Sequence, residues 1–133
     1  MKAVILLLAA FCYITVAGCS SCKTKNGTTI NLGFNDEKAE PKIGDTIAVS
    51  LEYPPTAGFE WTLKSYGKDM LSLVDNKSHI KIDSEHMYRN IWYFLCFSPG
   101  NTNIEFTFKR ESFKGKGMGV VEDETKVFSI MIK

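Results

Sequence analysis

Tyr53-Pro54-Pro55-Thr56-Ala57-Gly58-Phe59-Glu60-Trp61 interrupts a chain that otherwise reads as strands. Two consecutive prolines fix φ and remove two backbone donors, so the stretch is no central strand. Gly58 is free to take φ > 0 and turn the chain. Phe59 and Trp61 then flank Glu60 with the period of a half-buried strand. A stiff loop runs directly into a well-anchored strand, and that junction decides how the rest of the chain is read.

The alternation continues outward from this loop. Residues 28–32, 46–51, 59–63, 79–82 and 104–108 alternate apolar and polar, with Ile47, Val49 and Leu51 on one face. Residues 91–97 are more continuously apolar, as in a strand covered on both faces, and residues 126–132 close the chain. Turn signals separate these runs: Asn26-Gly27, Ile43-Gly44-Asp45, Tyr66-Gly67-Lys68, Asp75-Asn76 and Ser98-Pro99-Gly100-Asn101. About seven short strands spaced by turns predict an all-β domain, an antiparallel β-sandwich. Residues 68–73 are long enough for one helical turn, too little to change the class. Residues 33–42 are charged and read as a surface loop.

The N-terminal segment is of another kind. Lys2 precedes an uncharged, mostly apolar run over residues 3–16, followed by Ala17, Gly18 and Cys19. A basic start, a short apolar core and small residues before a break predict a secretory signal peptide over residues 1–18. Residues 19–26 read as a polar tether and residues 27–133 as the domain. Val16-Ala17-Gly18-Cys19 resembles the bacterial lipoprotein box, which implies a lipid on Cys19 and contact with a membrane through it alone. Plain cleavage and free secretion is the rival, and Asn26-Gly27-Thr28 and Asn76-Lys77-Ser78 both match the glycosylation acceptor pattern. Export, anchored or free, is the expected localisation.

Composition and motifs exclude several function classes. The net charge is +1 with both signs scattered, which gives no clustered basic face for nucleic acid. Cys19-Ser-Ser-Cys22 has C-x-x-C spacing but no second pair, so neither a metal nor a redox site is expected. Cys96 reads as a buried thiol; a Cys22–Cys96 disulfide stays open in an exporting compartment. His79 and His86 lie in a polar stretch without a nucleophile partner, and no G-x-S-x-G elbow is present. Gly115-Lys-Gly-Met-Gly119 lacks phosphate-loop spacing, and Glu122-Asp123-Glu124 reads as a solvated charge run. No catalysis and no cofactor are expected.

The opening stretch carries a resemblance. Pro55, Thr56, Gly58, Phe59 and Trp61 match the N-P-T-T-G-[YF]-x-W motif of the chagasin family, inhibitors of papain-like cysteine proteases. Pro54 stands for the family's asparagine and Ala57 for its second threonine. The flanks agree: "KIGDTIAVSLEY" ahead of the loop and "SPGNTNIEFTFKRESF" later, where the family has a P-G turn and a strand ending in R-R-P-W. Arg110 matches that arginine; Glu111 and Ser112 replace the proline and tryptophan, with Phe113 one place late. The family's G-x-G-G loop falls at His86-Met87-Tyr88-Arg89, which has no glycine.

The resemblance implies an immunoglobulin-like sandwich whose three loops, gathered at one end, enter a protease cleft without being cleaved. It implies protease contacts from Pro54, Pro55, Thr56, Ala57 and Gly58 at the cleft centre. Arg110 and Phe113 would flank one side, and Tyr88 and Arg89 the other. A monomer is expected, with a papain-like cysteine protease as partner. The alternative is a non-inhibitory binding module of the same fold.

Overall fold

The computed structural model describes residues 27–55, 58–82, 86–110 and 121–133. The expected signal segment and tether lie outside the described residues, as do Cys19, Cys22, Thr56, Ala57 and Phe113. Eight strands are described: β1 (Thr29–Leu32), β2 (Lys38–Ala39), β3 (Thr46–Tyr53), β4 (Phe59–Tyr66), β5 (Leu71–Ile82), β6 (Met87–Cys96), β7 (Gly100–Arg110) and β8 (Val121–Ile132). They form two four-stranded sheets, ordered β1-β3-β6-β5 and β2-β8-β7-β4. The long pairings are antiparallel.

The all-β sandwich is as the alternation predicts. The sheets are nonetheless mixed, because the short edge strands β1 and β2 pair in parallel with β3 and β8. Side-chain alternation reports which face a residue takes and not the direction of its neighbour. β2 is two residues within the expected surface loop, too short for any periodic signal.

One face of each sheet builds the core. Ile47, Val49, Leu51, Trp92 and Phe94 meet Trp61, Ile104, Phe106, Phe128 and Ile130, all buried. The rings of Trp92 and Phe106 meet across the sheets at 4.6 Å, and Phe128 stands edge-on to Phe106. Each such side chain contributes roughly 1.5–3 kcal/mol on burial. β6 departs from expectation: Ile91, Tyr93 and Leu95 are only half-buried, so its second face is not covered. The apolar look of that face comes from side chains that shelter one another, with Lys77 Nζ 5.6 Å from the Tyr93 ring.

β5 is longer than the expected 79–82 strand. The Asp75-Asn76 turn signal lies inside it, beside a bulge between Leu73 and Asp75. The Asn76 amide donates to Asp75 Oδ1 (2.8 Å), so the turn chemistry satisfies a displaced amide without reversing the chain. At residues 67–71 the Met70 and Leu71 amides both donate to the Gly67 carbonyl in a single turn, but residues 71–73 of the expected 68–73 helical turn begin β5 instead.

The 42–45 turn fixes the far end of the sandwich. Asp45 carboxylate oxygens accept from the amides of Lys42 (2.8 Å) and Thr28 (2.9 Å). These bonds, the Lys42 amide first, hold the Asp45 carboxyl below the usual carboxylate range. Gly44, at φ 94°, donates its amide to the Cys96 carbonyl, and the Cys96 amide donates to the Asp45 carbonyl.

Cys96 is a buried free thiol, with burial foremost and the charge of Asp45 next pushing it up to about 11. The native state therefore holds this proton more tightly than the unfolded chain does. Its contribution is complete below about pH 9 and is lost as pH rises toward the folded value. With the other cysteines changed to serine, urea unfolding at pH 8 and pH 10.5 should show Cys96 losing part of its advantage over Cys96→Ala at the higher pH. A constant difference between the two pH values would contradict the assignment.

Candidate functional site

Register gathers three connections at one end of the sandwich. Tyr53 at the end of β3 pairs with Tyr88 at the start of β6. Ile82 at the end of β5 pairs with Met87, and Arg110 at the end of β7 pairs with both Phe59 and Val121. The connections β3–β4 (54–58), β5–β6 (83–86) and β7–β8 (111–120) therefore all start and finish there.

The 54–58 connection springs from anchored ends. Tyr53, just before it, is buried, whereas Pro54, Pro55 and Gly58 are exposed. Gly58 takes φ 71°, in the left-handed region. A Cβ there would meet only the Arg110 side chain, its Cγ at 3.7 Å and Cδ at 3.9 Å, so conformation rather than space requires the glycine. Phe59 stacks on Phe108 (5.4 Å between centroids), and Trp61 packs on the same ring at 5.1 Å. The Arg110 guanidinium lies 5.3 Å from the Phe59 ring centroid, so β4 and β7 leave this end with a cation–π pair between them.

Beneath the connection is a shallow hollow of about 230 Å³, lined by Tyr53, Pro55, Phe59, Glu60, His79 and Tyr88 among others. His79 Nε2 lies 3.2 Å from Glu60 Oε2, and its ring stands edge-on to Tyr53 and Tyr88. Burial first, and then the charge of Glu60, raise the Tyr53 hydroxyl above the ordinary tyrosine value. His79 sits in β5 at a second bulge, between Lys77 and Ile80, with φ 56°.

The sequence-predicted residues divide between faces. Tyr88 points inward on β6 and shares the hollow with Pro55, 6.0 Å from the Tyr53 ring. Arg89 points outward and pairs with Glu52, directly opposite on β3. Both belong to β6, so of residues 86–89 only His86 precedes the strand. His86 takes φ 51°, a left-handed conformation of the kind a glycine would supply there. Pro54, Pro55, Gly58 and Arg110 lie together at the sandwich end; Thr56, Ala57 and Phe113 are outside the described residues.

Two contributors were missed from sequence, the Glu60–His79 pair and Asn90. Asn90 is 2 % exposed and lies on the inward stripe Tyr88-Asn90-Trp92-Phe94-Cys96. An asparagine on an apolar stripe is a readable signal once the strand is begun at Met87 rather than at Ile91.

The family model of the chagasin family peptidase inhibitor I42 matches residues 40–130, from ahead of β3 into β8. The chain belongs to the chagasin family. It is a peptidase-inhibitor homologue and not an enzyme. Solved structures share the fold at low identity. The cysteine protease inhibitor EhICP2 from Entamoeba histolytica is 19% identical, with a TM-score of 0.63 over 80% of this chain and 96% of that one. Amebosin is 15% identical, with a TM-score of 0.58 over 80% and 98%. PbICP-C, solved in complex with falcipain-2, is 17% identical, with a TM-score of 0.55 over 80% and 100%. No curated protein sequence matches the chain.

The left-handed Gly58 gives a direct test. Gly58→Ala adds a side chain that fits but must hold φ > 0, at a cost of about 1 kcal/mol. Urea unfolding should show that loss with an unchanged m-value. A stabilised variant would mean that Gly58 does not hold this conformation.

Proposed function

We propose that this chain is a reversible inhibitor of papain-like cysteine proteases that enters the active-site cleft with its three gathered connections. One observation carries the reading: the matching motif falls on the 54–58 connection, whose flanking residues Tyr53 and Trp61 are both buried. The names of EhICP2 as a cysteine protease inhibitor and of PbICP-C as a partner of falcipain-2 support the same protease class. A connection whose ends are already ordered loses little further freedom on binding, which favours affinity. Pro54 and Pro55 add to this by fixing φ before binding.

In this reading Pro55, Thr56, Ala57 and Gly58 occupy the cleft centre. Arg110 and Phe113 flank one side. Tyr88 flanks the other through the hollow, and Arg89 is held back at the rim by Glu52. We also propose export with loss of residues 1–18, with lipid on Cys19 or free release as the two routes. Cys19→Ser should move the protein from membranes to the soluble fraction under the first route and change nothing under the second.

Titration of the mature protein into papain and cathepsin L should abolish peptide hydrolysis, with no cleavage of the added chain. Thr56→Arg should weaken inhibition of every susceptible protease; losing an anchor costs ~2 kcal/mol, about thirtyfold in Ki. Tyr88→Ala should instead change the ranking among proteases. If a folded Thr56→Arg variant inhibits as well as wild type, the cleft-centre assignment fails and the plain binding-module reading takes its place.

A further inference from the structure

Asn90 stands opposite the second bulge of β5. Lys77 pairs with Ile91 and Ile80 with Arg89, which leaves Ser78 and His79 facing Asn90 alone. Such a bulge takes an amide out of the ladder, and a buried amide without a partner is costly. Here the Asn90 side chain supplies the partner: the His79 amide donates to Asn90 Oδ1 at 2.8 Å. The same oxygen accepts from the Tyr53 hydroxyl at 3.3 Å. Asn90 Nδ2 donates across the sandwich to the Trp61 carbonyl at 3.2 Å. Trp61 returns the link, its indole Nε1 donating to the Glu52 carbonyl at 3.2 Å.

One buried amide thus joins β6 to β3, β4 and β5. Two of those attachments flank the 54–58 connection: Tyr53 immediately before it, and Trp61 three residues after Gly58. β3 and β4 lie in different sheets, so no ladder hydrogen bond fixes their mutual position. The core could hold the sheets together with an apolar residue at 90. It would keep the Trp61 indole on the Glu52 carbonyl as a directional link between the two ends but lose those made through Asn90, because apolar contacts are not directional, whereas hydrogen bonds are.

We propose that Asn90 is a positioning residue for inhibition: it sets the spacing and angle at which the 54–58 connection is presented, acting through Tyr53 and Trp61. The affinity arm of the test rests on the inhibitor reading above; the dynamics arm does not.

Asn90→Leu keeps the branched outline, with bulkier methyl ends, and removes all three bonds. Ile132→Ala serves as the control, since Ile132 is buried at the opposite end of the sandwich, paired with Gly100. Tyr53→Phe removes one bond only and covers the case in which Asn90→Leu does not fold. Each variant is compared for melting temperature, for association and dissociation rates with papain, and for ¹⁵N relaxation of the Gly58 and Phe59 amides in the free protein.

Asn90→Leu should raise Ki at least tenfold, mainly through faster dissociation, and lower the order of both amides. Tyr53→Phe should do the same to a smaller degree. Ile132→Ala, at a comparable fall in melting temperature, should change Ki less than twofold and leave those amides unaltered. If Asn90→Leu, or Tyr53→Phe where the former is unfolded, leaves the two amides as ordered as in wild type, the proposal is overturned. It is equally overturned if Ki rises no more than in the control. Should wild type fail to inhibit papain, the function reading falls while the relaxation comparison still decides what Asn90 does.

Discussion

The contact between the two inner faces governs everything else in this molecule. Trp92 and Phe106 meet there at 4.6 Å, with Phe94, Phe128, Ile47 and Ile104 fully buried around them. A strand that slipped by one residue would turn its whole apolar stripe to solvent, so this interface fixes register as well as stability. Register in turn decides which strand ends coincide. Tyr53 beside Tyr88 and Phe59 beside Arg110 bring three connections to one end, without any of those connections specifying it. The gathering of these strand ends is therefore a consequence of core packing some distance away.

Ordering that end falls to polar and aromatic groups. Towards Tyr53 and Phe59 the buried aliphatic side chains give way to Trp61, Phe108, Tyr88 and Asn90. Two rings there use their polar tips: the Trp61 indole N–H on the Glu52 carbonyl and the Tyr53 hydroxyl on Asn90. The exposed pairs Glu60–His79 and Glu52–Arg89 lie around them and add little energy in water. Their value is in direction: Glu60 restrains His79 in the lining of the hollow, and Glu52 restrains Arg89 on the outer face of the same sheet. The opposite end uses another device, the Asp45 carboxylate, which closes a tight turn on backbone amides.

Most of the fold was legible because period-two alternation is a direct image of one buried face. Ile47-Val49-Leu51 and Ile104-Phe106 are inward positions read straight from the sequence. Three things were not legible. β2 is two residues long and carries no period. The parallel edge pairings leave no mark on alternation, which is blind to strand direction. The bulges in β5 break the period, so Asp75-Asn76 read as a turn and the strand as beginning only at His79. At the site, the motif residues Pro55, Gly58 and Trp61 stood out because prolines, glycine and tryptophan have few interchangeable uses. Tyr88 and Arg89 stand near the start of β6 at that end, and their opposite orientations depend on where β6 begins. Asn90 was passed over for the same reason.

The placement of the 54–58 connection between sheets bears on how the proposed inhibitor loop would escape cleavage. β3 belongs to one sheet and β4 to the other, so the connection bridges the sandwich at its edge. A cleavable segment must be drawn into an extended path along the catalytic groove. Drawing this one out requires Tyr53 and Trp61 to leave their buried positions, which opens the sheets against the core that joins them. Opening of that kind approaches global unfolding, which costs about 5–15 kcal/mol in a domain of this size. A hairpin within a single sheet would have no such protection, because fraying its last rungs costs only a few weak pairings. The bridge between sheets thus ties local extension to opening of the core, and under the proposed reading the same core that sets the register would guard the loop it presents.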